Sequence, residues 1–174
     1  VLAERAGLPA GLFSVLPSSD AVAVGREFCE NPKIRKLTFT GSTNVGKILM
    51  RQGADQVLKL GLELGGNAPF IVFDDADLDA AVEGAIVSKY RNNGQTCVCA
   101  NRLYVQAGVY DAFAEKLAAR VRLIKVGDGF EAGALAGPLI SDKALAKVEE
   151  HIADATAQGA QVLTGGRRDQ HGGL

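Results

Sequence analysis

Cys97 ends the run Asn92-Asn93-Gly94-Gln95-Thr96-Cys97, in which polar, turn-prone residues precede a thiol. That composition predicts an accessible loop, where a cysteine acts as a nucleophile if its surroundings lower its pKa. The competing reading is a buried thiol packed as a small apolar group. No histidine pairs with it: His151 falls in a helix-forming stretch and His171 near the Gly-rich end. A Cys–His hydrolase is therefore unsupported, and both histidines are expected at the surface. The three cysteines, Cys29, Cys97 and Cys99, make no complete disulfide framework and no CxxC spacing, so no metal is expected. In an extended backbone the Cα atoms of Cys97 and Cys99 would stand roughly 6.5–7 Å apart, at the edge of disulfide reach. A bent loop closes that gap, which makes Cys99 a candidate redox partner; the alternative is a small residue turned into the core. Cys29 is read as structural.

A second pattern is Gly41-Ser42-Thr43-Asn44-Val45-Gly46-Lys47, which follows the strand-like Leu37-Thr38-Phe39-Thr40 and opens a helix-like stretch. Backbone N–H groups and the helix dipole hold phosphate in that context. The pattern also matches the GxxxxGK[ST] phosphate loop except that Ile48 stands where a magnesium-binding hydroxyl is needed. Phe70-Ile71-Val72-Phe73-Asp74 even imitates the apolar strand that ends in a metal-binding Asp. Isoleucine cannot ligate Mg²⁺, which weighs against an NTPase. A plain strand–helix turn, glycine-rich for tightness, is the other reading.

The elements that must position these residues alternate in type. Helices are expected around Val22–Cys29, with Ser19 or Asp20 as cap and Asn31-Pro32 as stop. Others follow Gly41-Ser42-Thr43, carry Leu78, Ala81, Val82, Ala85 and Ile86 on one face, run through Tyr110, Phe113, Leu117, Val121 and Ile124, and start at Ser141. Strands are expected at Leu37–Thr40, Val57–Leu64, Pro69–Phe73, Leu103–Val105 and Gln161–Leu163. Strands alternating with helices argue an α/β architecture with a largely parallel sheet.

Composition narrows the class further. Nineteen basic against twenty acidic residues leave no basic footprint for nucleic acid, and no long uncharged apolar run suits a membrane span. Glycine is in excess, 21 of 174 residues or about 12% against an ordinary ~7%. Much of the backbone is thus set for tight turns or close approach.

Three motifs taken in order resemble the aldehyde dehydrogenase superfamily: Leu37-Thr38-Phe39-Thr40-Gly41-Ser42-Thr43 with Val45-Gly46, then Leu62-Glu63-Leu64-Gly65-Gly66-Asn67, then Gly94-Gln95-Thr96-Cys97. The stretch from Gly94 to Arg102 looks most like the succinate-semialdehyde dehydrogenase branch. Glu63 and Cys97 are 34 residues apart, the separation usual for the family. The resemblance covers nearly the whole chain and displaces the NTPase reading.

The resemblance implies NAD(P)-dependent oxidation of a small aldehyde, with succinic semialdehyde expected. Cys97 would attack the carbonyl and carry a thioester, and Glu63 would activate the hydrolysing water. Gly41, Ser42, Val45 and Gly46 would hold the pyrophosphate of NAD or NADP, with Leu64 and Gly65 near the nicotinamide. Arg91, six residues before the nucleophile, resembles a binder of the substrate's carboxylate, against a reading as a solvated helix-end arginine. Residues 1–64 would form the later half of a Rossmann-like cofactor domain and 65–174 the earlier half of the catalytic domain.

Val1-Leu2-Ala3-Glu4-Arg5 reads as mid-helix and the polar end as an interrupted loop, so the expectation is an internal fragment, truncated at both ends and inactive alone. Its parent is expected to be a cytoplasmic homo-oligomer, dimer or tetramer. A non-catalytic remnant and a coenzyme A-acylating enzyme are the alternatives, the latter weakened by Glu63.

Overall fold

The computed structural model describes residues 1–169. His171, expected at the surface, lies outside them. The chain divides after Leu64 into two compact units.

In the first unit, helix α1 (Leu2–Arg5) precedes α2 (Ala21–Glu30), strand β1 (Lys36–Gly41), α3 (Thr43–Gly53) and strand β2 (Lys59–Leu64). Asp20, one of the two expected caps, accepts the Ala23 N–H at 2.9 Å and starts α2. β1 and β2 pair in parallel, from Lys36 opposite Lys59 to Gly41 opposite Leu64. Their sequences place Leu37 and Phe39, and Leu60, Leu62 and Leu64, on one face by the two-residue period of a strand. Helix α3 packs on both strands and α2 on α3, with Cys29 and Leu49 buried between them.

The strand expected from Val57 begins two residues later, and the reason is local. Val57 N–H donates to Ala54 O and Leu58 N–H to Gly53 O, at 3.0 and 2.9 Å. This pair of bonds forms a Schellman-type ending, whose left-handed residue is usually glycine. Here it is Val57, at φ 51°. A β-branched residue in that conformation is held against its own sterics by roughly 1–2 kcal/mol. Its side chain is 89% exposed, so no packing offsets the strain. Val57→Gly is therefore expected to raise stability by about 1 kcal/mol after the greater freedom of unfolded glycine is allowed for. A melting temperature at or below that of the wild type would contradict this.

The second unit begins with strand β3 (Ala68–Val72), followed by α4 (Leu78–Tyr90), strand β4 (Ala100–Val105), α5 (Tyr110–Arg122) and α6 (Asp142–Ala157). β3 and β4 are parallel, with a register shift between Ala68 and Pro69. Asp77 accepts the N–H groups of Asp79 and Ala80 and so caps α4, satisfying two of that helix's orphan donors. The apolar face foreseen from Leu78, Ala81, Val82 and Ala85 packs with Phe70, Val72, Leu103 and Phe113 to make the core. Ion pairs Lys116–Asp79 and Arg120–Glu83, each at 2.6 Å, link α5 to α4 at the surface. Such exposed pairs contribute little, because water screens the charges and ordering two long side chains costs entropy.

The expected strand at Gln161–Leu163 does not form: the residues have no ladder partner among the described residues. A strand exists only through its neighbour, and Leu163 O instead accepts from the Arg122 guanidinium at 3.2 Å. Helix α5 also ends at Arg122, two residues short of Ile124. Among the described residues no helix is long and apolar enough to cross a membrane.

Candidate active site

The glycine loop of the first unit is built as its sequence suggests. β1 ends at Gly41, Ser42 turns the chain, and α3 starts at Thr43. The Ser42 hydroxyl accepts the Val45 N–H at 3.3 Å, and Ser42 O accepts the Gly46 N–H at 3.0 Å. Thr43 and Asn44 are the first two residues of the helix, and their N–H groups have no acceptor among the described residues. They point outward with the positive end of the helix dipole, an arrangement suited to phosphate oxygens. Gly46 is buried, and a Cβ there would lie 2.8 Å from Leu64 Cδ2, so a side chain at this position would displace that of Leu64. Gly41, Ser42, Val45, Gly46, Glu63 and Leu64 thus all belong to the carboxyl ends of β1 and β2 and the start of α3. Glu63 is exposed, next to last on β2 and opposite Thr40.

The NTPase imitation fails at Ile48, which cannot ligate a metal. Phe70–Val72 pairs with β4, in a different sheet from the strand that feeds the glycine loop.

In the second unit, Thr96–Cys99 forms a turn closed by the Cys99 N–H and Thr96 O at 3.4 Å. Cys97 stands at its second position, exposed, and its own N–H has no acceptor among the described residues. Cys99 ends the turn and faces inward at 1% exposure. Its thiol donates to Lys89 O at 3.4 Å and accepts from the Thr96 hydroxyl at 3.1 Å. All three cysteines are free. Cys29 is fully buried, its thiol directed at Leu49 O at 3.8 Å. Burial, aided by the Glu30 charge, pushes that thiol above its ordinary pKa, which keeps it protonated and unreactive. Arg91 directly follows α4 and is exposed.

Gly65 and Gly66 lead from the first unit into β3, and here the structure adds what the sequence reading left out. A Cβ on Gly66 would lie 2.5 Å from Cys97 O, so its bare backbone is what allows the cysteine turn its position. Asn67 O accepts from the Arg102 guanidinium at 2.7 Å, tying this glycine turn to β4. Gly66→Ala is expected to displace the Cys97 carbonyl and destabilise the fold by about 1–3 kcal/mol, the usual result of overpacking. Chemical denaturation measures the loss, and an unchanged midpoint would show that the turn gives way freely. Asn93 and Gln95 also act at this loop, through bonds to residues more than forty positions away. The Asn-Asn-Gly and Gly137-Pro138 sequences announce turns, but nothing in them says that the turns meet.

A sequence model of the aldehyde dehydrogenase family matches residues 1–174, and the chain belongs to that family. It is 66% identical over 172 residues to the glutarate-semialdehyde dehydrogenase of Pseudomonas aeruginosa, covering 99% of this chain and 35% of that protein. Against the succinate-semialdehyde dehydrogenase (NADP(+)) of Escherichia coli it is 63% identical over 172 residues, 99% of this chain and 36% of the relative. The crystal structure of succinate-semialdehyde dehydrogenase from Burkholderia pseudomallei superposes with a TM-score of 0.95 at 65% identity, over 98% of this chain and 35% of that one. The α/β architecture is accordingly part of the aldehyde dehydrogenase fold. The chain spans about a third of the length of these relatives.

Proposed function

We propose that this segment supplies the nucleophile and part of the cofactor cradle of a semialdehyde dehydrogenase of its relatives' length. The observation that carries the reading is Cys97, exposed at the tip of its turn with a free N–H beside it, in a chain above 60% identical to semialdehyde dehydrogenases. Cys97 Sγ, as thiolate, adds to the aldehyde carbon, and the oxygen takes up the negative charge. The Cys97 N–H is a donor for that oxyanion. The free N–H groups at Thr43 and Asn44, with Ser42, fit the pyrophosphate of a dinucleotide; NAD or NADP, when bound, would accept the substrate's hydride. An acyl group then remains on Cys97 Sγ. Glu63 takes a proton from the water that attacks it, releasing the acid and restoring the thiolate. Pairing Cys97 with Cys99 would require Cys99 to give up both its contacts first.

The test is a chimaera in which these 174 residues replace the matching stretch of the E. coli relative. It is expected to oxidise succinic and glutaric semialdehydes with NADP(+), read by nicotinamide absorbance. A folded chimaera with no turnover, beside an active parent, would overturn the assignment.

Arg91 is assigned to the substrate's distal carboxylate, for which a guanidinium offers paired donors. Arg91→Ala in the chimaera should lower kcat/KM for succinic semialdehyde by about 10- to 100-fold, the worth of a charged hydrogen bond. An uncharged aldehyde such as butanal should be affected no more than about twofold. Equal losses for both substrates would return Arg91 to a solvated helix end.

A further inference from the structure

We infer that Asn93 and Gln95 are positioning residues, which make the segment Gly137–Ile140 a brace for the Cys97 turn. After α4 the chain reverses through three successive left-handed residues, Asn92, Asn93 and Gly94, at φ 52°, 57° and 73°. Asparagine is among the few residues with a side chain that enter this region readily. Asn93 then uses both ends of its amide. Its Oδ1 accepts the Gly137 N–H at 2.9 Å, and its Nδ2 donates to Gly137 O and Pro138 O, each at 3.0 Å. Two residues on, Gln95 Oε1 accepts the Ile140 N–H at 3.0 Å.

The braced segment is itself anchored at both ends. Upstream, Ala136 pairs with Val126 in a parallel bridge, with Gly127 N–H donating to Ala136 O at 2.9 Å. Downstream, Ser141 caps α6 by accepting the Ala144 N–H at 3.3 Å. A segment fixed at both ends and bonded at four backbone groups is a strut, not a passenger. Its load falls on the residues between Asn93 and Cys97, whose other bonds are local: the Gln95 N–H to Asn92 O, Asn92 Nδ2 to Gln95 O, the Thr96 hydroxyl to Cys99 Sγ and the Cys99 N–H to Thr96 O. Asparagine meets all of the demands at position 93, where alanine would lack the amide and aspartate the donors.

The inference rests on Cys97 being the reacting thiol, and the test separates the two ideas. Asn93→Gly keeps the left-handed backbone and removes only the amide; Gln95→Ala removes the second strut. Hydrogen exchange by mass spectrometry or NMR should show the Gly137 amide opening about tenfold faster in the first, and the Ile140 amide about tenfold faster in the second. In both, the Cys99 amide should exchange at least about threefold faster, while those of Val82 and Phe113 in the core stay protected. The rate of Cys97 alkylation by iodoacetamide should depart from wild type by at least about threefold. Unchanged Cys97 alkylation and Cys99 exchange, with Gly137 opened, would overturn the positioning role. Loss of core protection in step would overturn it too, by making the bonds merely structural. If Cys97 is not a nucleophile, it will alkylate in the wild type no faster than a peptide thiol, while the Gly137 result still stands or falls alone.

Discussion

Cys97→Ala in the chimaera is expected to lower semialdehyde turnover by at least about 10⁴-fold, equivalent to about 5.4 kcal/mol of transition-state stabilisation. The size follows from the role: without the thiolate no covalent intermediate forms, and every later step loses its substrate. The fold should not change. Cys97 is exposed, no hydrogen bond uses its side chain among the described residues, and its carbonyl contact with Gly66 is backbone. Surface substitutions of this kind shift stability by no more than about 0.5 kcal/mol. An unaltered melting curve with abolished turnover identifies a chemical role. Residual activity within a hundredfold of wild type would point to another nucleophile, and Cys99 would then be examined first.

Glu63→Gln separates the two halves of the reaction. Removing a general base lowers rate by about 10²- to 10⁴-fold, so steady-state turnover should fall in that range. The first turnover should survive, because acyl transfer to Cys97 precedes the need for the base. A burst of reduced nicotinamide, close to one equivalent per site, followed by slow release is the expected trace. Glutamine fits the strand: Glu63 is exposed, and its backbone pairing with the Thr40 position does not depend on the carboxylate. A burst lost in proportion to the steady state would place Glu63 before acylation, and an unchanged rate would make it a strand-end surface acid.

Much of the scaffold could be read beforehand because its signals are local. The face made by Leu78, Ala81, Val82 and Ala85 is a helical period, and Asp20, Ser42, Asp77 and Ser141 cap within one turn of themselves. The glycine loop was likewise legible, being a strand, a turn and a helix in direct succession. The misreadings share a cause. Val57 has the β-branched composition of a strand but sits left-handed in a helix ending, where the preceding helix decided its backbone. Gln161–Leu163 has strand composition without a partner, and composition cannot supply one.

The sequence by itself determined the chemistry on offer: a thiol in a polar turn, a carboxylate at a strand end, a glycine-rich strand–helix loop and the family they resemble. Tertiary structure alone decided which of two cysteines two residues apart faces solvent, since the turn at Thr96–Cys99 exposes its second residue and buries its last. It also decided that Gly66 lies under the Cys97 carbonyl and that Asn93 grips Gly137. Each of those contacts ends on a backbone group, which every residue carries alike. No pattern of side-chain types can therefore announce them, and only the folded chain brings them within a hydrogen bond's length.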